Sequence, residues 1–232
     1  MGKTLIPKFK KPAGCTGCPL LETGEGFVPD EVVPSPDIVI MAEAPGGTEV
    51  ESGKPLVGKA GFVLKEWIMK AVPEIQIAYE KKKVSLCNIL KCKPPEHNGR
   101  PYPTGDTRVK AEEHCRQYLK LGEPKLVILC GEVPQRYFFK DELEAEDATD
   151  RALGHEAKGV MGRIGRVYEK DGKRFVFAPH PAFVLRQPAL VTHAQEAFKI
   201  AAGSAKVLEP AIVNWTAAVM ELIDAKSLQQ VS

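Results

Sequence analysis

Four short runs of β-branched and aliphatic residues punctuate the chain, and each ends at a turn signal. Asp37-Ile38-Val39-Ile40-Met41-Ala42 leads into Ala44-Pro45-Gly46-Gly47, and Val84-Ser85-Leu86-Cys87-Asn88-Ile89-Leu90 stops at Pro94-Pro95. Lys125-Leu126-Val127-Ile128-Leu129-Cys130 stops at Gly131, and Arg174-Phe175-Val176-Phe177-Ala178 stops at Pro179-His180-Pro181. Unbroken apolar runs of this length predict strands buried on both faces. Helical spacing lies between and after them: over about 59–71, with Phe62, Val63, Trp67 and Ile68 on one face, and over about 107–121, 189–203 and 210–225, with Pro210 breaking the last two. Strands alternating with helices predict an α/β fold, a three-layer αβα sandwich around a short, mainly parallel four-stranded sheet. The charged, Gly-containing stretch 141–172 predicts a long loop with a small hairpin, and the proline-rich stretch 1–36 an ordered arm.

The 232 residues are 44% hydrophobic and 27% charged, enough for one domain with a full core and no disulfide staples. With 32 basic against 30 acidic residues the net charge is +2, which excludes a general polyelectrolyte binder but permits a local basic groove. No apolar segment approaches the ~20 residues of a membrane span. The polar start, Met1 to Lys8, does not read as a secretory leader. The expectation is a cytoplasmic protein with reduced thiols.

Ligands of open parallel sheets bind beyond the carboxyl ends of the strands. Those ends carry Glu43 and its Pro-Gly-Gly turn, then Asn88, then His180. Each alone has an ordinary role as helix cap, strand hydrogen-bonder or structural histidine, but together on one edge they point to a site. Cys15-Thr16-Gly17-Cys18 is a clustered thiol pair, and Cys92 and Cys115 could complete a four-thiolate site for zinc or an iron–sulfur cluster. The alternative is a redox dithiol beside unrelated core thiols. Cys87 and Cys130 lie inside strand runs and read as packing residues. Gly53-Lys54-Pro55-Leu56-Val57-Gly58-Lys59-Ala60 imitates a phosphate-binding loop, but it lacks the Ser or Thr that holds magnesium and starts well after the strand ends.

Ordered blocks carry a resemblance. Cys15-x-x-Cys18 is followed by Ala42-Glu43-Ala44-Pro45-Gly46, Gly53 through Gly61, Asn88-Ile89-Leu90-Lys91-Cys92-Lys93-Pro94-Pro95, and His180-Pro181-Ala182-Phe183-Val184-Leu185-Arg186. From Cys15 to about Phe198 the chain resembles the iron–sulfur uracil-DNA glycosylases, the family 4 and family 5 branch of that superfamily. The resemblance implies a single domain, with residues 1–36 as an arm carrying two cluster cysteines; beyond its reach, the helical spacing makes 207–232 a C-terminal helix. It implies a 4Fe–4S cluster on Cys15, Cys18, Cys92 and Cys115, catalysis by Glu43 and His180, and base binding by Ala44, Pro45, Gly46, Gly47, Leu56 and Asn88. It also implies DNA contacts from Lys59, Lys91 and Lys93, with Val184 and Leu185 as a wedge in the base stack and Arg186 on phosphate. The partner would be uracil-containing DNA, single- or double-stranded, met by a monomer with no membrane attachment.

Three departures stand out. Ala42 replaces the glycine usual in family 4, Leu56 replaces the phenylalanine that stacks on uracil, and the loop Gly159–Gly165, with Arg163 inside it and Arg166 just after, does not align with the family pattern. They keep two other functions open beside uracil excision. One is a glycosylase for a modified pyrimidine; the other is a non-cleaving protein that recognises a flipped base.

Overall fold

The computed structural model describes residues 6–97, 100–101, 105–156, 159 and 161–203, so the helix expected over 207–232 lies outside the described residues. The chain begins with α1 (Leu20–Thr23), β1 (Ile38–Ala42), α2 (Gly47–Ser52) and α3 (Lys59–Phe62). A π-helical turn (Val63–Ile68) and a 3-10 turn (Met69–Ala71) lead to α4 (Pro73–Glu80), β2 (Val84–Asn88), and a small ladder of β3 (Glu96–His97) and β4 (Arg100–Pro101). Then come α5 (Gly105–Arg116), β5 (Leu126–Cys130), α6 (Glu132–Ala152), β6 (Val167–Lys170), β7 (Lys173–Ala178), α7 (Pro181–Arg186) and α8 (Val191–Ala202).

The main sheet has five strands in the order β2-β1-β5-β7-β6, which corrects the expected four. The four anticipated strands are mutually parallel, and β6 adds an antiparallel edge to β7. Asp171 and Gly172 both adopt positive φ, as a two-residue hairpin turn requires, so β6 pairs with β7 across it. In register, Ala42 lies opposite Asn88 and Cys130 opposite Ala178, so the carboxyl ends of the parallel strands form one edge.

Alternate residues of each strand feed opposite cores. Ile38, Ile40, Ile128 and Val176 face α8 and the helical turns after α3; Val39, Met41, Leu129 and Phe177 face Phe139 and Leu143 of α6. Cys87 and Cys130 are buried in these layers as packing residues. In the expected 59–71 helix the apolar face differs: Val63 and Ile68 are fully buried, whereas Phe62 and Trp67 are 57% and 37% exposed. The π-helical turn winds the chain more slowly there and rotates those two rings off the inward stripe.

The stretch 141–172, expected as a long loop with a small hairpin, begins as helix and ends in the β6–β7 hairpin. Helix α6 reaches Ala152, with non-helical φ/ψ at Phe139. Its acidic face is neutralised by side chains from the loop before β6 and from β6 itself. Glu146 accepts from Arg163 at 3.1 Å, Arg166 at 2.7 Å and the Tyr168 hydroxyl at 3.0 Å, and Asp147 also pairs with Arg163. The two arginines of the unmatched loop are therefore anchors that fasten it to α6.

Candidate active site

A cavity of about 460 Å³ opens at the carboxyl edge of the sheet. One wall is the turn after β1, from Glu43 to Gly47. The opposite wall is Leu56 and Gly58, and His180, Ala182, Leu185 and Arg186 close a third side. A neighbouring cavity of about 510 Å³ runs from Gly131 to Met161 and shares His180 and Arg186 with the first.

His180 caps the N-terminus of α7, with Pro181 at the first helical position where no N–H is needed. Its Nδ1 accepts the Ala182 N–H at 3.1 Å, and its Nε2 is buried with no partner. Burial, aided by the nearby positive charge of Arg186, lowers its pKa from 6.5 to about 4. The imidazole is therefore neutral at pH 7, and with Nδ1 accepting, its proton sits on Nε2. A Cβ on Gly131, at φ +91°, would stand 2.9 Å from the His180 Cβ, so the end of β5 backs the ring closely.

Glu43 sits where β1 ends. Its carbonyl accepts the Leu90 N–H at 2.9 Å, tying the turns after β1 and β2 together. Burial raises its carboxyl pKa above the usual 4.5; Arg108 counters this and Glu132 adds to it. Asn88, at the end of β2, is 2% exposed, does not line the cavity, and leaves its side-chain Oδ1 buried without a partner.

Glu49 escaped the sequence patterns. Its carboxylate, on α2 and 7% exposed, accepts the Gly46 N–H at 3.0 Å on one oxygen. The other oxygen accepts Val57 N–H at 3.0 Å and Gly58 N–H at 2.7 Å. One side chain thus spans two walls of the cavity. The spacing Gly46-x-x-Glu49, an acid three residues after a helix cap, was the available signal. Between those anchors Leu56 is held at φ +53°, rare for a branched side chain, and a Cβ on Gly61 would collide with its carbonyl.

Two expected DNA contacts are corrected. Lys91 is fully buried and pairs with Asp30 at 2.7 Å, so it cannot meet a phosphate. Val184 is fully buried, because α7 turns it into the core and leaves Leu185 beside the cavity. Lys59 is exposed at the rim, Lys93 lies at the rim paired with Glu25 at 2.9 Å, and Arg186 is exposed over the Phe183 ring.

Cys15, Cys18, Cys92 and Cys115 share one buried cluster with Leu20, Phe27 and Leu90. They converge from the arm, from the turn after β2 and from α5. Burial and the neighbouring sulfurs push the Cys92 thiol up to about 12 and the Cys115 thiol to about 11. The Lys91 N–H donates to Cys115 Sγ at 3.4 Å, and the Lys11 ammonium caps the carbonyls of Leu20, Leu21 and Gly24 just after Cys18. Among the described residues no group of three or more His, Cys, Asp or Glu side chains is arranged to hold a single metal ion.

Known proteins resemble this chain in sequence. A Type-4 uracil-DNA glycosylase of Sulfurisphaera tokodaii is 26% identical over 80% of this chain and 77% of its own. The Archaeoglobus fulgidus protein of the same name is 28% identical over 80% of this chain and 85% of its own, and the Pyrobaculum aerophilum one 28% over 76% and 82%. The model of the Uracil DNA glycosylase superfamily matches residues 29–202, from the arm through the sheet to the end of α8. A match over most of the chain, including both cavity walls and His180, makes this protein a member of the uracil DNA glycosylase superfamily.

Proposed function

We propose that this protein is a uracil-DNA glycosylase, which hydrolyses the N-glycosidic bond of a uracil flipped out of DNA. Superfamily membership and the relatives' names support the reading. The observation that carries it is the buried, partnerless N–H of a neutral His180 at the cavity wall. When the bond breaks, its electron pair leaves with the base, which departs as an anion. The His180 Nε2–H donates to the pyrimidine carbonyl where that charge collects, as an oxyanion-hole donor does. Glu43, ionised, stabilises the cationic sugar and orients the water that adds to C1′. The water's proton is released, and the products are free uracil and an abasic site. Asn88 lies behind the lining of the cavity, and its open Oδ1 is assigned to the base's Watson–Crick edge as the acceptor the base would meet on entering. Ala44, Pro45, Gly46, Gly47 and Leu56 enclose the ring, while Lys59, Lys93 and Arg186 meet phosphates around the mouth. Its DNA substrate implies action inside the cell.

The four clustered cysteines suit a 4Fe–4S cluster: all are buried in one group, drawn from three separate elements, and the cluster would take them as thiolates. The cluster would be a cross-link between arm, turn and α5, not a reactant. A second reading, a pyrimidine bearing a larger 5-substituent, is favoured by Leu56, which lines the cavity with an aliphatic side chain and no π-face. Oligonucleotides carrying one uracil, single- and double-stranded, incubated with the protein and treated with alkali, test the proposal. Strand cleavage at the uracil is expected; intact strands overturn it. A parallel set with 5-substituted uracils decides between the two readings.

A further inference from the structure

Lys91 and Asp30 form an ion pair with side chains only 1% and 3% exposed. Burying two opposite charges costs so much desolvation that an apolar pair of similar size often serves stability as well. Apart from the Cys87 thiol, which also meets Asp30, the side-chain contacts of this pair fall on one residue. The Lys91 ammonium donates to both Asp30 oxygens at 2.7 Å and also to the carbonyl of Asn88. Asp30 Oδ1 accepts the Asn88 N–H at 3.1 Å. Both main-chain polar groups of the last residue of β2 are thus taken by a single ion pair, on the side facing away from β1. The cationic end is fixed in turn, because the Lys91 N–H reaches Cys115 Sγ and its carbonyl accepts the Val28 N–H at 2.7 Å.

Asn88 is also where the described site leaves a buried side-chain oxygen unsatisfied. Buried acceptors are normally paired, so one left open needs either a ligand or a backbone that holds it open. We infer that the Asp30–Lys91 ion pair is a positioning device that grips the Asn88 backbone and presents its carboxamide to the base. The inference rests on the reading of the site as a base pocket. The pair touches no substrate and acts through Asn88. Uracil offers an N–H beside a carbonyl where cytosine offers the reverse pattern, so a tilted carboxamide loses discrimination as well as rate.

The test is a double-mutant cycle between the pair and Asn88. The paired replacement Asp30→Leu with Lys91→Met removes both charges and leaves neither alone. It is compared with Asn88→Ala and with the triple variant, reading kcat, KM and uracil-over-cytosine preference. The paired variant is expected to keep wild-type far-ultraviolet dichroism, to lose about tenfold in kcat/KM, the size of one charge-assisted hydrogen bond, and to lose preference. In the Asn88→Ala background the same replacement is expected to cost less than about twofold, because coupled residues do not add. Equal losses in both backgrounds, or a paired variant with wild-type rate and preference, would overturn the inference. Asp30→Asn, which keeps size and shape, serves if the paired variant does not fold. The carboxamide NMR signal of Asn88 is followed in parallel and is expected to shift in Asp30→Asn; an unmoved signal overturns the clamp. If wild-type protein leaves uracil DNA intact, the base-pocket reading falls and that signal alone decides whether the clamp exists.

Discussion

His180 Nδ1 accepts a hydrogen bond from the backbone of Ala182 two residues on, and that contact dictates the tautomer of the ring. Only Nε2 remains to carry the proton, and burial keeps the ring from taking a second one until about pH 4. The proposed acting species is therefore a neutral donor. We predict that kcat shows no fall as pH rises through 6 to 7, where an imidazolium acid would be lost. His180→Ala should lower single-turnover cleavage by about two powers of ten or more, with much less change in DNA binding. Stability is linked to the same shift: the unfolded ring protonates near 6.5 and the folded one near 4, so stability falls as pH drops through that window. Thermal melts of His180→Ala should lack that part of the decline.

Glu43 is expected to set the acid side of the rate profile. With its carboxylate proposed as the active form and its pKa raised by burial, activity should fade with acidification at a pH above the ordinary 4.5. Glu43→Gln should remove this limb and lower the plateau by about two powers of ten.

Glu49 and Gly61 govern the shape of the pocket without touching the reaction. Glu49→Ala strands three backbone N–H groups, and a cost of about 3 kcal/mol or more is expected in denaturant melts. Gly61→Ala drives a methyl into the Leu56 carbonyl and should raise KM more than it lowers kcat by displacing that wall. A Gly61→Ala protein with wild-type KM would show that Leu56 does not shape the pocket.

The cysteines are tested by colour and metal. Purified protein should be brown, with about four irons per chain. Serine at Cys15, Cys18, Cys92 or Cys115 should remove colour and lower the melting temperature, whereas serine at Cys87 should leave the colour. Zinc by elemental analysis would exclude the cluster.

Salt dependence tests the proposed phosphate contacts against Lys91. Neutralising Lys59, Lys93 or Arg186 should each reduce the slope of log binding constant against log salt by about one. Lys91→Met should leave that slope unchanged, because Lys91 is spent on Asp30.

Four strands were legible because burial on both faces leaves apolar runs that no helix or loop imitates. Strand β6 was legible only as part of a small hairpin, not as a fifth strand of the sheet: Val167 and Tyr168 are buried while Glu169 and Lys170 are exposed, too short a pattern to place. Helix α6 was hidden by its acids, whose partners Arg163 and Arg166 come 16 to 20 residues later. In the site, Glu43, Asn88 and His180 could be read because they sit at strand ends. Glu49 could not, since its partners are main-chain N–H groups that have no sequence identity. Lys91 was misread for a related reason, because the carboxylate that neutralises it lies 61 positions away. A charge declares its sign in a sequence, but not its burial.

The arm reaches past the sulfurs. Glu31 and Leu86 exchange N–H to carbonyl bonds, Glu25 and Lys93 do the same, and Val33 donates to the Ser85 hydroxyl, so residues 25–33 run along the outer side of β2 and the turn beyond it. That stretch supplies the bonds a further strand would. Deleting the arm to obtain a protein without the thiol pair would strip them and bare a sheet margin able to recruit another chain. Such a truncation is expected to precipitate or self-associate, and its inactivity would teach nothing about iron. Single-residue substitutions that keep residues 25–33 seated are the way to separate what the sulfurs hold from what the backbone holds.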